Sequence, residues 1–149
     1  MTERTGGLTL RLARTLAPPP ERVFSACVEP TELAAWWGPA GFTSPGIELD
    51  VRVGGKYRIA MQPPEGELFH LRGEFLEIER PRRLSYTFEW EEPDPDDQQT
   101  LVTLTFREAG HGTELLLEQA PFATQARHDL HHAGWTDSFV RLDQHLATG

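Results

Sequence analysis

From Ile47 to Gln119 the chain alternates apolar and polar residues in one short run after another, and a single long helical pattern then follows. Ile47, Leu49 and Val51 mark the first run, which Gly54-Gly55 turns. Tyr57, Ile59 and Met61 alternate with Arg58 and Ala60 up to the turn Pro63-Pro64-Glu65-Gly66. Phe69, Leu71, Gly73 and Phe75 belong to a longer run that Pro81 closes. Leu84, Tyr86, Phe88 and Trp90 alternate with Ser85, Thr87 and Glu89 without a break. Val102, Leu104 and Phe106 come next, then the turn Gly110-His111-Gly112, then Leu115, Leu117 and Gln119. A period of two marks a strand with one buried face, and strands joined by tight turns pair antiparallel.

Ahead of this meander, Leu8, Leu10 and Leu12 alternate with Thr9 and Arg11, predicting a first strand to about Leu16. Pro18-Pro19-Pro20 ends it, and Pro20 suits the first turn of a helix. A second short helix opens at Pro30-Thr31-Glu32 and stops at Gly38-Pro39. The final pattern, from about Thr124 to Ala147, predicts a helix roughly 36 Å long at about 1.5 Å per residue. The expected fold class is therefore α+β in a single domain, residues 1–149: one strand, two short helices, six strands, one long helix. One helix covers one face of seven strands only if the sheet curls around it, and curling leaves a gap between the two.

The 149 residues carry 14 Lys+Arg against 23 Asp+Glu, a net charge of −9. That balance repels a phosphate backbone, so nucleic acid is excluded as an expected partner. The densest basic stretch, Arg80-Pro81-Arg82-Arg83, sits at a turn and reads as solvated. The acidic run Glu91–Gln99 reads as a solvated hairpin tip rather than a metal site. Cys27 is the lone cysteine, placed in an apolar helical stretch as a core thiol. Residues 1–7 are polar and lack an apolar signal core, and no run nears the roughly 18 apolar residues of a membrane span. A soluble, cytoplasmic protein with no membrane partner is expected.

Trp36 and Trp37 end the second short helix, where two adjacent indoles cannot both face inward. One is expected beneath the fold, the other over a cavity. On the long helix, Phe139, Leu142 and Leu146 fall within roughly 40° of Trp135 and form the core-facing stripe. His128, His131 and His132 fall within roughly 60° of the same line. They read as a wet helix end covering a mouth, as polar contacts to a ligand, or as a His128–His132 pair on a metal ion. No third ligand stands at a recognisable spacing, so no metal and no cofactor are expected.

The inward registers gather Trp36, Trp37, Phe42, Met61, Phe69, Tyr86, Phe88, Trp90, Phe106 and Trp135. This set is either plain core or, in part, the wall of an apolar pocket. Gln119, on the face of Leu115 and Leu117, is the leading polar anchor, with Tyr86, His131 and Ser138 beside it. Glu48, Asp50 and Glu74 alternate opposite to the inward residues and are expected to face water. There is no Gly-x-Ser-x-Gly elbow, no phosphate-cradling glycine loop and no His-Glu-x-x-His, so no catalytic residue is assigned.

Several phrases, in order, resemble a known family. They are Ala17-Pro18-Pro19-Pro20-Glu21-Arg22-Val23-Phe24, Trp36-Trp37-Gly38-Pro39-Ala40-Gly41-Phe42, Gly54-Gly55-Lys56-Tyr57-Arg58 and Arg72-Gly73-Glu74-Phe75-Leu76-Glu77-Ile78. Pro81-Arg82-Arg83-Leu84-Ser85-Tyr86-Thr87 follows, and then Gly134-Trp135 with Leu142 and Leu146. Together they resemble the START-like (SRPBCC, birch-pollen-allergen-like) superfamily. Within it they resemble the bacterial proteins related to the activator of the heat-shock-protein-90 ATPase. The resemblance implies a helix-grip fold, a curved antiparallel sheet wrapped around the C-terminal helix, with the histidine-bearing half of that helix lining a cavity. It implies a small hydrophobic or aromatic molecule as partner, held without catalysis. It also leaves room for a polyketide cyclase- or dehydratase-like enzyme with His128 or His131 as base, and for a co-chaperone-like interaction domain. Homodimers are common in the superfamily, and that state stays open here. Fold alone does not choose among these.

Overall fold

The computed structural model describes residues 8–148; the polar segment 1–7, read above as lacking a signal core, lies outside them. The order is β1 (Leu8–Leu16), α1 (Pro20–Val28), α2 (Pro30–Trp36), β2 (Thr43–Leu49) and β3 (Lys56–Gln62). Then come β4 (Phe69–Glu79), β5 (Arg83–Trp90), β6 (Thr100–Ala109), β7 (Gly112–Phe122) and α3 (Gln125–Thr148). The seven strands form one antiparallel sheet in the order β1-β7-β6-β5-β4-β3-β2. This is the α+β fold that the alternation and the closing helix predict, in the helix-grip arrangement that the resemblance implies.

Local chemistry sets the element ends. Pro20 and Pro30 occupy the first turns of α1 and α2, where their missing N–H groups go unneeded. Pro30 also holds Glu29 extended, which separates the two helices. The expected strand Ile47–Val51 stops early. Asp50 begins a turn that donates its N–H to Lys56 O at 3.0 Å, so Val51 and Val53 stand exposed outside the sheet.

The core runs along the inward face of β1, β7 and β6, where Leu10, Leu16, Leu115, Leu117, Val102 and Leu104 are buried beneath Phe139, Leu142 and Leu146 of α3. The helix lies close to β1, β7 and α2 and stands off from β3, β4 and β5. Register breaks within β4 and at the ends of β1 and β2 let the sheet bend. The stand-off is where the gap opens.

Both tryptophans at the end of α2 are buried, with Trp36 beneath the fold and Trp37 against the gap, the division expected of them. Trp36 remains in the helix and donates its indole N–H to Ala26 O at 2.9 Å. Trp37 has left the helix (φ −69°, ψ 133°), which swings its indole to a different wall. Among the described residues no helix is long and apolar enough to cross a membrane.

Candidate ligand-binding cavity

Between the N-terminal half of α3 and strands β3, β4 and β5 lies a cavity of about 440 Å³. Met61 comes from β3, Phe69 from β4, Phe88 and Trp90 from β5. His131, Gly134, Trp135 and Ser138 face them from α3, and Trp37 to Phe42 close the end. The rings lock one another. Trp37 meets Trp135 edge-on at 5.2 Å, and Trp90 meets Phe69 at 5.3 Å and Phe88 at 5.2 Å. Such geometry adds to area burial and holds each ring in one orientation.

The end wall is a loop held by α3. Ser138 Oγ accepts the N–H of Gly38 and donates to its carbonyl, each at 3.0 Å. Arg141 Nη1 donates to the carbonyls of Trp37, Gly38 and Pro39 at 3.0, 2.9 and 3.2 Å. Arg141 Nη2 also reaches Ala35 O at 3.4 Å, one of the last carbonyls of α2, where a cation suits the helix dipole. Gly38 sits at φ +99°, where a side chain would be strained and its Cβ would press Phe42 Cβ at 3.3 Å. Gly38 of the Trp-Gly-Pro phrase is therefore a backbone requirement of this wall.

Two polar side chains complete the interior, and the protein itself satisfies both. Trp135 donates its indole N–H to Gln119 Oε1 at 2.7 Å, and Gln119 Nε2 donates to Thr100 Oγ1 at 2.8 Å. Gln119, fully buried, thus pins the cavity-wall indole from behind. His131 Nδ1 donates to Arg127 O at 2.9 Å, and its Nε2 accepts the indole N–H of Trp90 at 3.2 Å. A carbonyl only accepts, so the tautomer follows and the ring is neutral. Burial lowers the pKa of His131, with the Arg127 charge acting in the same sense against the Arg127 carbonyl and Asp97.

The mouth is built from the connection between β5 and β6, which is largely exposed as expected but is also tied to the start of α3. Arg127, near the start of α3, donates to Asp97 at 2.9 and 3.2 Å and to Asp94 at 3.0 Å, folding the acidic segment against the helix. Burial opposes the Arg127 charge, but the bonds and charges of Asp97, Asp96 and Asp94 outweigh it and hold its pKa above the ordinary value. Thr124 caps α3 by accepting the Arg127 N–H at 3.1 Å, and its own hydroxyl donates to Asp96 at 2.9 Å. Glu92, Asp94, Asp97, Arg127 and the half-exposed Leu130 form the rim.

Of the residues singled out in the sequence, the cavity brings together Trp37, Phe42, Met61, Phe69, Phe88, Trp90, His131, Trp135 and Ser138. Five others lie elsewhere. Trp36 and Tyr86 border a small inner void of about 20 Å³, behind Trp37. Phe106 packs on Phe24 at 5.1 Å in the core. Gln119 stands behind Trp135. His128 faces away, paired with Asp129 at 2.8 Å and stacked on His132 at 6.1 Å.

Cys27 also borders the inner void, and burial first, then Glu32, pushes its thiol pKa up. Among the described residues, His70, Glu91 and Glu92 alone bring three metal-capable groups together, and Arg58 already holds both oxygens of Glu91 at 2.8 and 3.0 Å. The rim residues Glu92, Asp94, Asp97, Arg127 and Leu130 went unmarked in the sequence. The acidic density of residues 91–97 was visible, but Arg127, 30 residues beyond Asp97, gave no sign of being tied to it.

Comparison with known proteins supplies the kinship. The family described as Activator of Hsp90 ATPase homolog 1-like protein matches residues 17–147. A solved structure from Chromobacterium violaceum is 30% identical, with 91% of this chain and 94% of that one covered at a TM-score of 0.85. The AHSA1 protein from Silicibacter pomeroyi is 27% identical over 95% of this chain and 99% of that one, at a TM-score of 0.82. A protein from Nitrosomonas europaea is 28% identical, with 95% of each chain covered and a TM-score of 0.80. No curated protein sequence gives a significant match. With a matched span from the first helix to the end of the last, and neighbours that share the whole helix-grip architecture, the chain belongs to the Activator of Hsp90 ATPase homolog 1-like family of the START-like (SRPBCC) fold.

Proposed function

We propose that this domain binds a small apolar or aromatic molecule in the cavity between the sheet and α3, without catalysing a reaction on it. The cavity itself carries the reading. Its volume of about 440 Å³ lies within the range of roughly 300–1,000 Å³ usual for small-molecule sites, and its walls are aromatic. The polar groups on those walls are already partnered within the protein. A cyclase- or dehydratase-like reading would need a free imidazole nitrogen in the cavity, and His131 offers none. The proposal includes a cytoplasmic setting and leaves out nucleic acid and membranes as partners. The homodimer suggested by the resemblance is read by light scattering, as twice the mass of one chain.

The test uses naphthylethanol, a neutral aromatic probe. Trp37, Trp90 and Trp135 line the cavity, so binding is expected to quench tryptophan fluorescence saturably. At about 100 times its Kd the probe stabilises the fold by about 2.7 kcal/mol, a rise of about 5–10 °C in Tm. Gly134→Leu places a branched side chain in the cavity beside Pro39 and is expected to weaken the probe at least about tenfold, or about 1.4 kcal/mol. Unsaturable quenching, or equal affinity in Gly134→Leu, rejects the proposal.

A further inference from the structure

The charges at the rim say which ligands the cavity favours, given that it binds one at all. Among the described residues that line it, Glu92, Asp94 and Asp97 are carboxylates and Arg127 is the sole cation. Arg127 is consumed by Asp97 and Asp94, so the lining keeps an excess of two negative charges. Glu92 has its side chain 56% exposed, and its partners are the backbone N–H of His70 at 3.1 Å and the His70 ring at 3.6 Å. Asp94 is 68% exposed and meets Arg127 at one edge. Below this rim the space is walled by Trp90, Phe69 and Trp37, whose ring faces attract cations. His131, held neutral, adds no positive charge.

We propose that the cavity selects an organic ammonium ligand, with an apolar or aromatic body among the rings and a cationic amine at Glu92 and Asp94. This rests on the binding function proposed above. Each part of the lining favours the same chemistry. An anionic amphiphile would set its carboxylate against a rim with two negative charges in excess, and the one cation on the lining is already paired. A neutral ligand fits the rings but leaves the rim unanswered.

Calorimetric titration of naphthylethylamine, naphthylethanol and naphthylacetate into the intact chain tests the idea, because the three share a ring system and differ in charge. The amine is expected to bind about two- to fivefold tighter than the alcohol, a charge-pairing gain at the exposed rim carboxylates of about 0.4–1 kcal/mol at 1.4 kcal/mol per tenfold. The acetate is expected to be weakest, and added salt is expected to narrow the spread. In Glu92→Gln, and further in the Glu92→Gln/Asp94→Asn pair, the ratio of amine to alcohol affinity falls toward one. That ratio is read within each variant, so a partial loss of folded protein does not imitate the result. An amine no tighter than the alcohol, an acetate equal to the amine, or a ratio unmoved by the variants overturns the charge selectivity and leaves the cavity reading standing. No binding by any of the three overturns both.

Discussion

His131 is held at both ring nitrogens, by the Arg127 carbonyl and the Trp90 indole, and that arrangement survives only while the ring is neutral. Protonation would turn Nε2 from an acceptor into a second donor facing an N–H. Burial and the Arg127 charge lower its folded pKa, whereas a histidine in an unfolded chain titrates near 6.5. Above that value neither state carries the proton, and the full stability is present. As pH falls through about 6.5 the unfolded state takes up a proton that the folded state resists, and stability drops until the lowered folded pKa is passed. His131→Asn keeps a donor for the Arg127 carbonyl but cannot titrate. Urea unfolding at about pH 7.5 and about pH 5 should show the wild type losing more free energy than the variant, with the other histidines common to both. Equal losses would mean that the ring is not locked. Strand alternation could place Gln119 inward and the helical period could do the same for His131. It could not say that Trp90 and Trp135 would satisfy them, because those partners lie 41 and 16 residues away in sequence.

At the scale of elements, the strands were legible wherever one face is buried, as along Leu84–Trp90, because a one-residue slip would turn every apolar side chain outward. The connection from β5 to β6 was not. Its proline and acidic residues look like any solvated tip, and the residue that organises it, Arg127, sits on α3. Asp97 keeps only 7% of its side chain exposed, so removing its cation strands a buried charge. Arg127→Gln is expected to cost about 1–3 kcal/mol and to free residues 91–99 from the helix start. Limited digestion with a glutamyl endopeptidase reads this directly, through faster cleavage after Glu91 while the flanking strands hold. An unchanged cleavage rate would show that the loop does not depend on Arg127.

For the molecule as a whole, the hollow was foreseeable from one helix facing seven strands, but its position was not. Where the gap opens depends on the tilt of α3, and α3 follows β1 and β7 because Phe139, Leu142 and Leu146 are buried there. The helix is therefore gripped at one end and bridges a cavity at the other. Regions with little packed apolar contact open most readily, so backbone exchange should be graded along this single element. Amides of residues 136–147 are expected to exchange slowly, close to the limit set by global unfolding. Those of residues 126–133, over the cavity, are expected to exchange faster through local opening. Saturating naphthylethanol should then slow exchange in residues 126–133, in the 91–99 loop and between Trp37 and Phe42, the segments that wall the cavity. Residues 139–147 should move least, since the probe adds nothing to the packed end beyond the shift in global stability. Uniform protection along α3 without ligand, or a uniform gain with it, would mean that the helix moves as one body and that the cavity is not its weak side.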